Sequence, residues 1–285
     1  LLSLAIVSTL LISCADSPPD IPATNFGNSN VTQPFDYTEY TKLLNAYVDD
    51  AGMVDYAALQ KNRAALDTLI ADMGSLDPDT YAGWSKEAQF AFWINAYNAV
   101  TLKAIIDNYP IKKGGLIKRS LYPDNSIRQI DGVWKKKTTS IIGQDITLDE
   151  IEPKVLREQF DDPRMHFAIV CASMSCPPLR AEAFESDKLD AQLADQSHVF
   201  LSDKEKFRID SNNEKIYLSP ILDWFDEDFA DHYNLDQAIT GRSKRLGAVL
   251  DFVRTHLNDD HAVHITDSSF KIEYLDYDWS LNEQK

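Results

Sequence analysis

The segment Ser85 to Asn108 constrains this chain most. Its body, KEAQFAFWINAYNAVTLKAI, has the composition of a helix but is apolar nearly all round. A helix without a polar face is stable only where other elements cover every side, so this one should sit at the centre of the fold. Ser85 with an acid in the following turn predicts its start, and Tyr109-Pro110 its end. Winding the segment at helical pitch brings Glu87, Ala91, Ile94, Asn98 and Leu102 onto one stripe, with Asn95 at its margin. Polar groups buried on such a helix require partners, supplied either by neighbouring loop backbone or by a functional site. Glu87 and Asn98 are therefore expected to be buried and to face the polar turn described next.

That turn follows His166. The stretch HFAIVCASMSCPPLR, His166 to Arg180, opens with a short apolar, partly β-branched run that reads as a buried strand. It continues into two serines, two cysteines and Pro177-Pro178, which lack amide donors and fix φ. A stiff turn after a strand can aim a thiol, which makes Cys176 the first nucleophile candidate and Cys171 the second, with His166 as the candidate base. On a regular strand His166 and Cys171 would point to opposite faces about 16 Å apart. A His166–Cys176 pair therefore requires the turn to double back. The spacing of Cys171 and Cys176 equally admits a disulfide, and the sequence leaves both forms open.

Elsewhere the apolar period is helical from Phe35 to Leu76, with Asp49-Asp50-Ala51-Gly52 as a turn. Gly132 to Ser140 reads as a strand carrying Trp134. Thr147 to Phe160, Ser186 to Ser202, Asp223 to Asp231 and Ser243 to Leu257 read as helices. Two short strands flank Ser211-Asn212-Asn213 as a hairpin, and Phe270 to Tyr274 is a last strand. The fold class expected is α+β, a single domain, mostly helical around a small mixed or antiparallel sheet. Pro110 to Arg128 holds a basic island in an acidic chain and reads as a loop that could meet an anionic group. Asp276, Tyr277 and Asp278 are further polar candidates. His261 and His264 lack a third placed ligand, so neither a metal nor another cofactor is expected.

A net charge of −17 disfavours nucleic acid and anionic lipid surfaces as partners, because either would repel the chain at long range. The opening LLSLAIVSTLLISC is uncharged, too short for a comfortable membrane span and ends at Cys14. It resembles a bacterial lipoprotein signal, with the starting Met and basic segment expected ahead of Leu1. The resemblance implies a signal over residues 1–13, lipidation of Cys14 and, from Ala15 after the cysteine, sorting to the outer membrane facing the periplasm. Residues 14–34, rich in Pro, Asn and Ser, would form a flexible tether, leaving 35–285 as the globular domain. Membrane contact is then expected through the lipid alone.

Three motifs, AFWINAYNA (Ala91 to Ala99), HFAIVCASMSCPPL (His166 to Leu179) and YLDYDWSLN (Tyr274 to Asn282), together resemble the DUF547 family, a domain family of unknown function. The likeness runs over Trp84 to Asn282. The family is in turn distantly similar to papain-like and transglutaminase-like thiol enzymes. The family name implies no established reaction, but the residues themselves can supply a cysteine-dependent hydrolase or acyl/amide transferase on peptide or cell-wall-like amides, with Cys176 or Cys171 as nucleophile, His166 as base, and Glu87 or Asn98 orienting the imidazole or serving an oxyanion. The alternative is a non-catalytic, lipid-anchored binding module for a peptide-like or cell-envelope ligand, with Cys171–Cys176 as a structural disulfide.

Overall fold

A computed structural model describes residues 35–233, 241–257 and 259–285. The expected signal, the Cys14 anchor and the tether lie outside the described residues. Of the described helices, none is long and apolar enough to cross a membrane.

Helices α1 (Thr38–Tyr47), α2 (Tyr56–Lys61), α3 (Ala64–Ser75) and α4 (Pro78–Ala82) surround α5 (Lys86–Ile106). The Ser85 hydroxyl caps α5 by accepting from Ala88 N. From Gln89 to Leu102 every residue of α5 is buried, as its uniformly apolar surface demands. After α6 (Leu116–Leu121) come the antiparallel strands β1 (Thr138–Ile141) and β2 (Gln144–Thr147). They lead through α7 (Leu148–Glu150), closed by a Thr147/Glu150 capping box, into a π-helical turn, Ile151–Arg157. The strand expected over Gly132 to Ser140 is thus shorter: Gly132 takes φ +65°, its carbonyl accepts from Lys136 N, and the segment carrying Trp134 turns before the strand begins.

The remaining elements are α8 (Leu189–Ser202), β3 (Phe207–Asp210), β4 (Lys215–Leu218), α9 (Ile221–Trp224), α10 (Asp226–Tyr233), α11 (Lys244–Thr255), α12 (Asp259–Thr266) and β5 (Lys271–Tyr274). Strand β4 pairs with β3 antiparallel and with β5 parallel, giving a small mixed sheet. The class is α+β and mostly helical. Its buried side chains form two adjoining clusters, one around α5 and one around Phe200, Phe229 and Phe252.

The run from His166 to Val170, expected as a strand, joins these clusters and is not one. Pro163 starts a 3-10 helix, Pro163–Phe167, and Asp162 caps it by accepting from Arg164 N. Phe167 then enters the second cluster while Met165, Ala168, Ile169 and Val170 enter the first. Among the described residues no strand lies alongside to take the backbone bonds of Ala168 and Val170. A side chain does so instead: Asn98 Nδ2 donates to Ala168 O at 2.9 Å, and Val170 N donates to Asn98 Oδ1 at 2.9 Å. One turn earlier on α5, Asn95 binds Phe184 in the same two-sided way, at 2.8 and 3.0 Å. Each asparagine presents the donor and acceptor that a neighbouring strand would have offered. Both therefore find the backbone partners that their burial required.

Glu87 departs from expectation. It is exposed in the first turn of α5, where the helix has not yet entered the core. An acid there is favoured by the helix dipole rather than by a buried partner.

Candidate functional site

The turn after Val170 is bonded on both sides. Ala172 adopts φ +57°, an uncommon conformation for a residue with a Cβ, and Cys176 N returns to Ser173 O. The C-terminal strap lies across it: Met174 N donates to Ser280 O, Ser175 N to Asp278 O, and Asp278 N to the Ser175 hydroxyl. Behind the turn, Gly52 at φ +74° rests on Pro178. A Cβ on Gly52 would come within 2.4 Å of the Pro178 side chain, so a glycine is required there.

Cys171 and Cys176 are joined as a disulfide. The Cys171 amide points at Cys176 Sγ at 3.1 Å, and the Tyr277 hydroxyl lies 3.2 Å from Cys176 Sγ and 3.4 Å from Cys171 Sγ. Ser173 Oγ donates to the same hydroxyl at 3.1 Å. Burial pushes the Tyr277 phenol up to about 12. It is therefore a neutral hydroxyl throughout the ordinary pH range.

Beside the disulfide opens a cleft of about 810 Å³, within the size range of a small-molecule site. Cys171, Cys176, His166, Glu152 and Tyr97 line one side of it. His166 is 3% exposed, its ring stacks on Phe225 with centroids 3.8 Å apart, and Nε2 lies 2.7 Å from Asp228 Oδ2. Arg157 grips the same carboxylate with two bonds of 2.7 Å. Burial alone would raise the Asp228 carboxyl, yet the bonds from His166 and Arg157 hold it well below the usual carboxylate range. Asp228 is thus a fixed anion that orients one nitrogen of the imidazole. Glu152, on the π-helical turn, accepts from the Tyr97 hydroxyl at 3.3 Å. Burial pushes its carboxyl above the ordinary range, against the opposing pull of His166, the Tyr97 bond and Arg157. Two acids near one imidazole are therefore driven in opposite directions, a pattern that favours functional sites over plain cores.

Aromatic rings form the other side. Trp224 and Trp279 pack on each other and on the ring of Tyr277, whose hydroxyl belongs to the disulfide side, with centroid distances of 4.5 to 6.3 Å, and Tyr122 meets Trp279 edge-on. The Arg128 guanidinium lies among them, 4.4 Å from the Trp279 centroid, 4.9 Å from Tyr122 and 5.2 Å from Trp134.

Of the residues singled out from sequence, His166, Cys171 and Cys176 come together at this cleft, and no hydrogen bond joins His166 to either cysteine among the described residues. Asn98 stands behind it, committed to the backbone of residues 168 and 170, and Glu87 is not at the cleft. Tyr277 is at its centre. Glu152, Arg157 and Asp228 were not among the sequence candidates, although a signal existed. Glu152 falls among Leu148, Ile151, Val155 and Leu156, the apolar face of its helix, and Asp228 is three residues from Phe225 and next to Phe229. A carboxylate set into an apolar stripe marks a buried acid.

No curated protein and no solved structure matches this chain. Residues 81–201, the segment from Tyr81 through α5, Glu152, His166 and both cysteines to the end of α8, match the model of a family described as a protein of unknown function, DUF547; Asp228, Tyr277 and Trp279 lie beyond the matched residues.

Proposed function

We propose that this protein is a ligand-binding module of the bacterial cell envelope, anchored through a lipid on Cys14, whose aromatic cleft takes a small or peptide-like ligand. The Cys171–Cys176 disulfide carries this reading. It commits both sulfur atoms to bracing the cleft, while Asp228 holds His166 Nε2 and Asn98 fixes the chain between them. Such a wall is preorganised, which lowers the entropy cost of binding. Iodoacetamide labelling of protein purified without reductant tests it. Protection of both thiols, lifted by reductant, is expected; labelling of Cys176 without reductant would sink the binding reading. The anchor has its own test, since Cys14→Ala should abolish palmitate incorporation and release the protein from membranes. A Cys14 variant that still fractionates with membrane and still takes up palmitate would refute the anchor.

A second reading has one observation in its favour: His166, oriented by a carboxylate at 2.7 Å, lines the same cleft as Cys176. With the pair reduced, these groups have the composition of a thiol hydrolase or acyl/amide transferase on peptide or cell-wall-like amides. That reading requires a Cys176 thiol titrating below the free-cysteine value of about 8.5, and a rise of that value in His166→Ala. A reduced protein whose alkylation follows an ordinary thiol's pH profile and ignores the His166 substitution would refute it.

A further inference from the structure

We propose that the cleft holds its ligand by a carboxylate, bound to Arg128, with the apolar body of the ligand against Trp134, Trp224 and Trp279. The inference rests on the binding reading above and names the ligand's chemistry.

Arg128 differs from the other arginines. Among the described residues, Arg63, Arg119, Arg157, Arg164, Arg180, Arg245 and Arg254 each pair with a carboxylate. Arg208 and Arg242 donate to backbone carbonyls. Only the Arg128 guanidinium has neither an ion pair nor a hydrogen bond among the described residues, and its buried Nε has no partner. This occurs in a chain with 45 acidic and 28 basic residues, where a carboxylate partner would be the easiest thing to supply. Three aromatic rings hold the guanidinium instead. Stacking secures its faces and fixes its plane but satisfies no N–H, so the donor edge stays unused. A planar fork held in this way matches a carboxylate, which it can grip with two parallel bonds.

The neighbouring charges narrow the class to a monoanion. Of the other cations that line the cleft, Lys118 pairs with Asp131 and Lys135 with Asp149, Lys136 is exposed at the rim, and Glu152 adds a second acid to the lining. With Asp149 taken up by Lys135 and the charge of the exposed Lys136 set against that of Glu152, the Arg128 guanidinium is left to compensate a single negative charge rather than the double charge of a phosphate monoester. The apolar rings around it call for an apolar or ring-bearing body next to the carboxylate.

Phenylacetate and its uncharged isostere phenylacetamide separate the possibilities when titrated calorimetrically into the full-length protein. Phenylacetate should bind about tenfold more tightly than the amide, the difference a charge-assisted bond commonly makes. The Arg128 Nε–H resonance should shift with the carboxylate and not with the amide, a readout that needs no variant. In Arg128→Met the preference should fall to about one while the amide keeps its affinity, and Arg128→Lys should keep only part of the preference because it loses the fork. Equal binding of the two probes to the wild type, or a preference that survives in Arg128→Met, would overturn the carboxylate assignment and leave the binding cleft standing. Tighter binding of phenyl phosphate than of phenylacetate would overturn the monoanion class. If neither probe binds, this inference fails, while the binding reading is decided by the iodoacetamide test.

Discussion

The two walls of the cleft are built on opposite terms. On the disulfide side nearly every polar group is taken: Asn98 on residues 168 and 170, Asp228 on His166 and Arg157, Tyr277 on Ser173 and the sulfur pair. On the aromatic side the contacts are ring against ring and ring against guanidinium, with the donor edge of Arg128 left over. A wall whose hydrogen bonds are internally satisfied fixes geometry and has little left to offer a ligand. A wall held by stacking is positioned without consuming its polar capacity. Substitutions should therefore divide: large losses of stability on the first wall, and effects on binding with little loss of stability on the second.

The largest losses should come from substitutions of Asn98. Asn98→Ala leaves Val170 N–H and Ala168 C=O buried without partners, each costing about 1–3 kcal/mol. Denaturant unfolding should thus show a fall of about 2–5 kcal/mol. Asn98→Asp should lose at least as much, because it either buries an ionised carboxylate against the Ala168 carbonyl or must take up a proton to donate to it. Surface-like values for both would break the contrast at its strongest point.

The disulfide comes next. It closes a short loop, for which chain entropy gives a stabilisation of about 2 kcal/mol. Replacing both cysteines with serine should lower the unfolding free energy by that order. The turn should persist, because the strap bonds from residues 278 and 280 remain. A loss near zero would mean that the strap alone holds this wall.

Asp228 makes the first wall pH-dependent. Its carboxyl is depressed in the folded protein, so its stabilising contribution is fully present above the unfolded value of about 3.9 and is lost as pH falls through the lower folded value. Glu152 acts with the opposite sign. Its carboxyl is raised, so it favours folding below the unfolded value and costs stability as pH rises through the folded one. Stability measured from pH 5 down to pH 2 should fall in the wild type. Asp228→Asn should flatten that acid limb, by on the order of 1–2 kcal/mol, and Glu152→Gln should steepen it. An acid limb unchanged in Asp228→Asn would remove this carboxylate from the account.

The first wall was partly legible in the sequence. The all-round apolar character of 86–106 placed α5 at the centre, and Pro177-Pro178 with the serines marked the turn. Periodicity failed at His166 to Val170, because an apolar β-branched run signals burial and not the identity of its hydrogen-bonding partner. Here the partner is a side chain from α5 rather than a strand. It failed at Glu87 because a stripe describes a direction around the helix and not how far along it the core extends. The pairing of His166 with Asp228, separated by 62 positions, depends on α10 folding back over the 3-10 turn, and no local pattern records that. On the second wall the basic island of residues 110–128 was visible as composition. That Arg128 would lie among rings without an ion pair or hydrogen bond, while Lys113, Lys118 and Arg119 find aspartates, depends on tertiary packing that no local pattern records.

Arg128→Met is the smallest effect expected and the sharpest test of the comparison. Three cation–π contacts favour the wild type, each worth about 0.5–1 kcal/mol in a partly exposed setting. Against them stands the desolvation of a buried Nε with no partner, of the order of 1–3 kcal/mol for an unmade hydrogen bond. A methionine of similar length keeps the packing against Trp134 and Trp279 and removes that penalty. The two effects nearly cancel, so the unfolding free energy should change by less than about 1 kcal/mol, in either direction, while the preference for a carboxylate over its amide is lost. A destabilisation comparable with Asn98→Ala would mean that the guanidinium holds the aromatic wall together, and the division between a structural and a receptive side of the cleft would collapse.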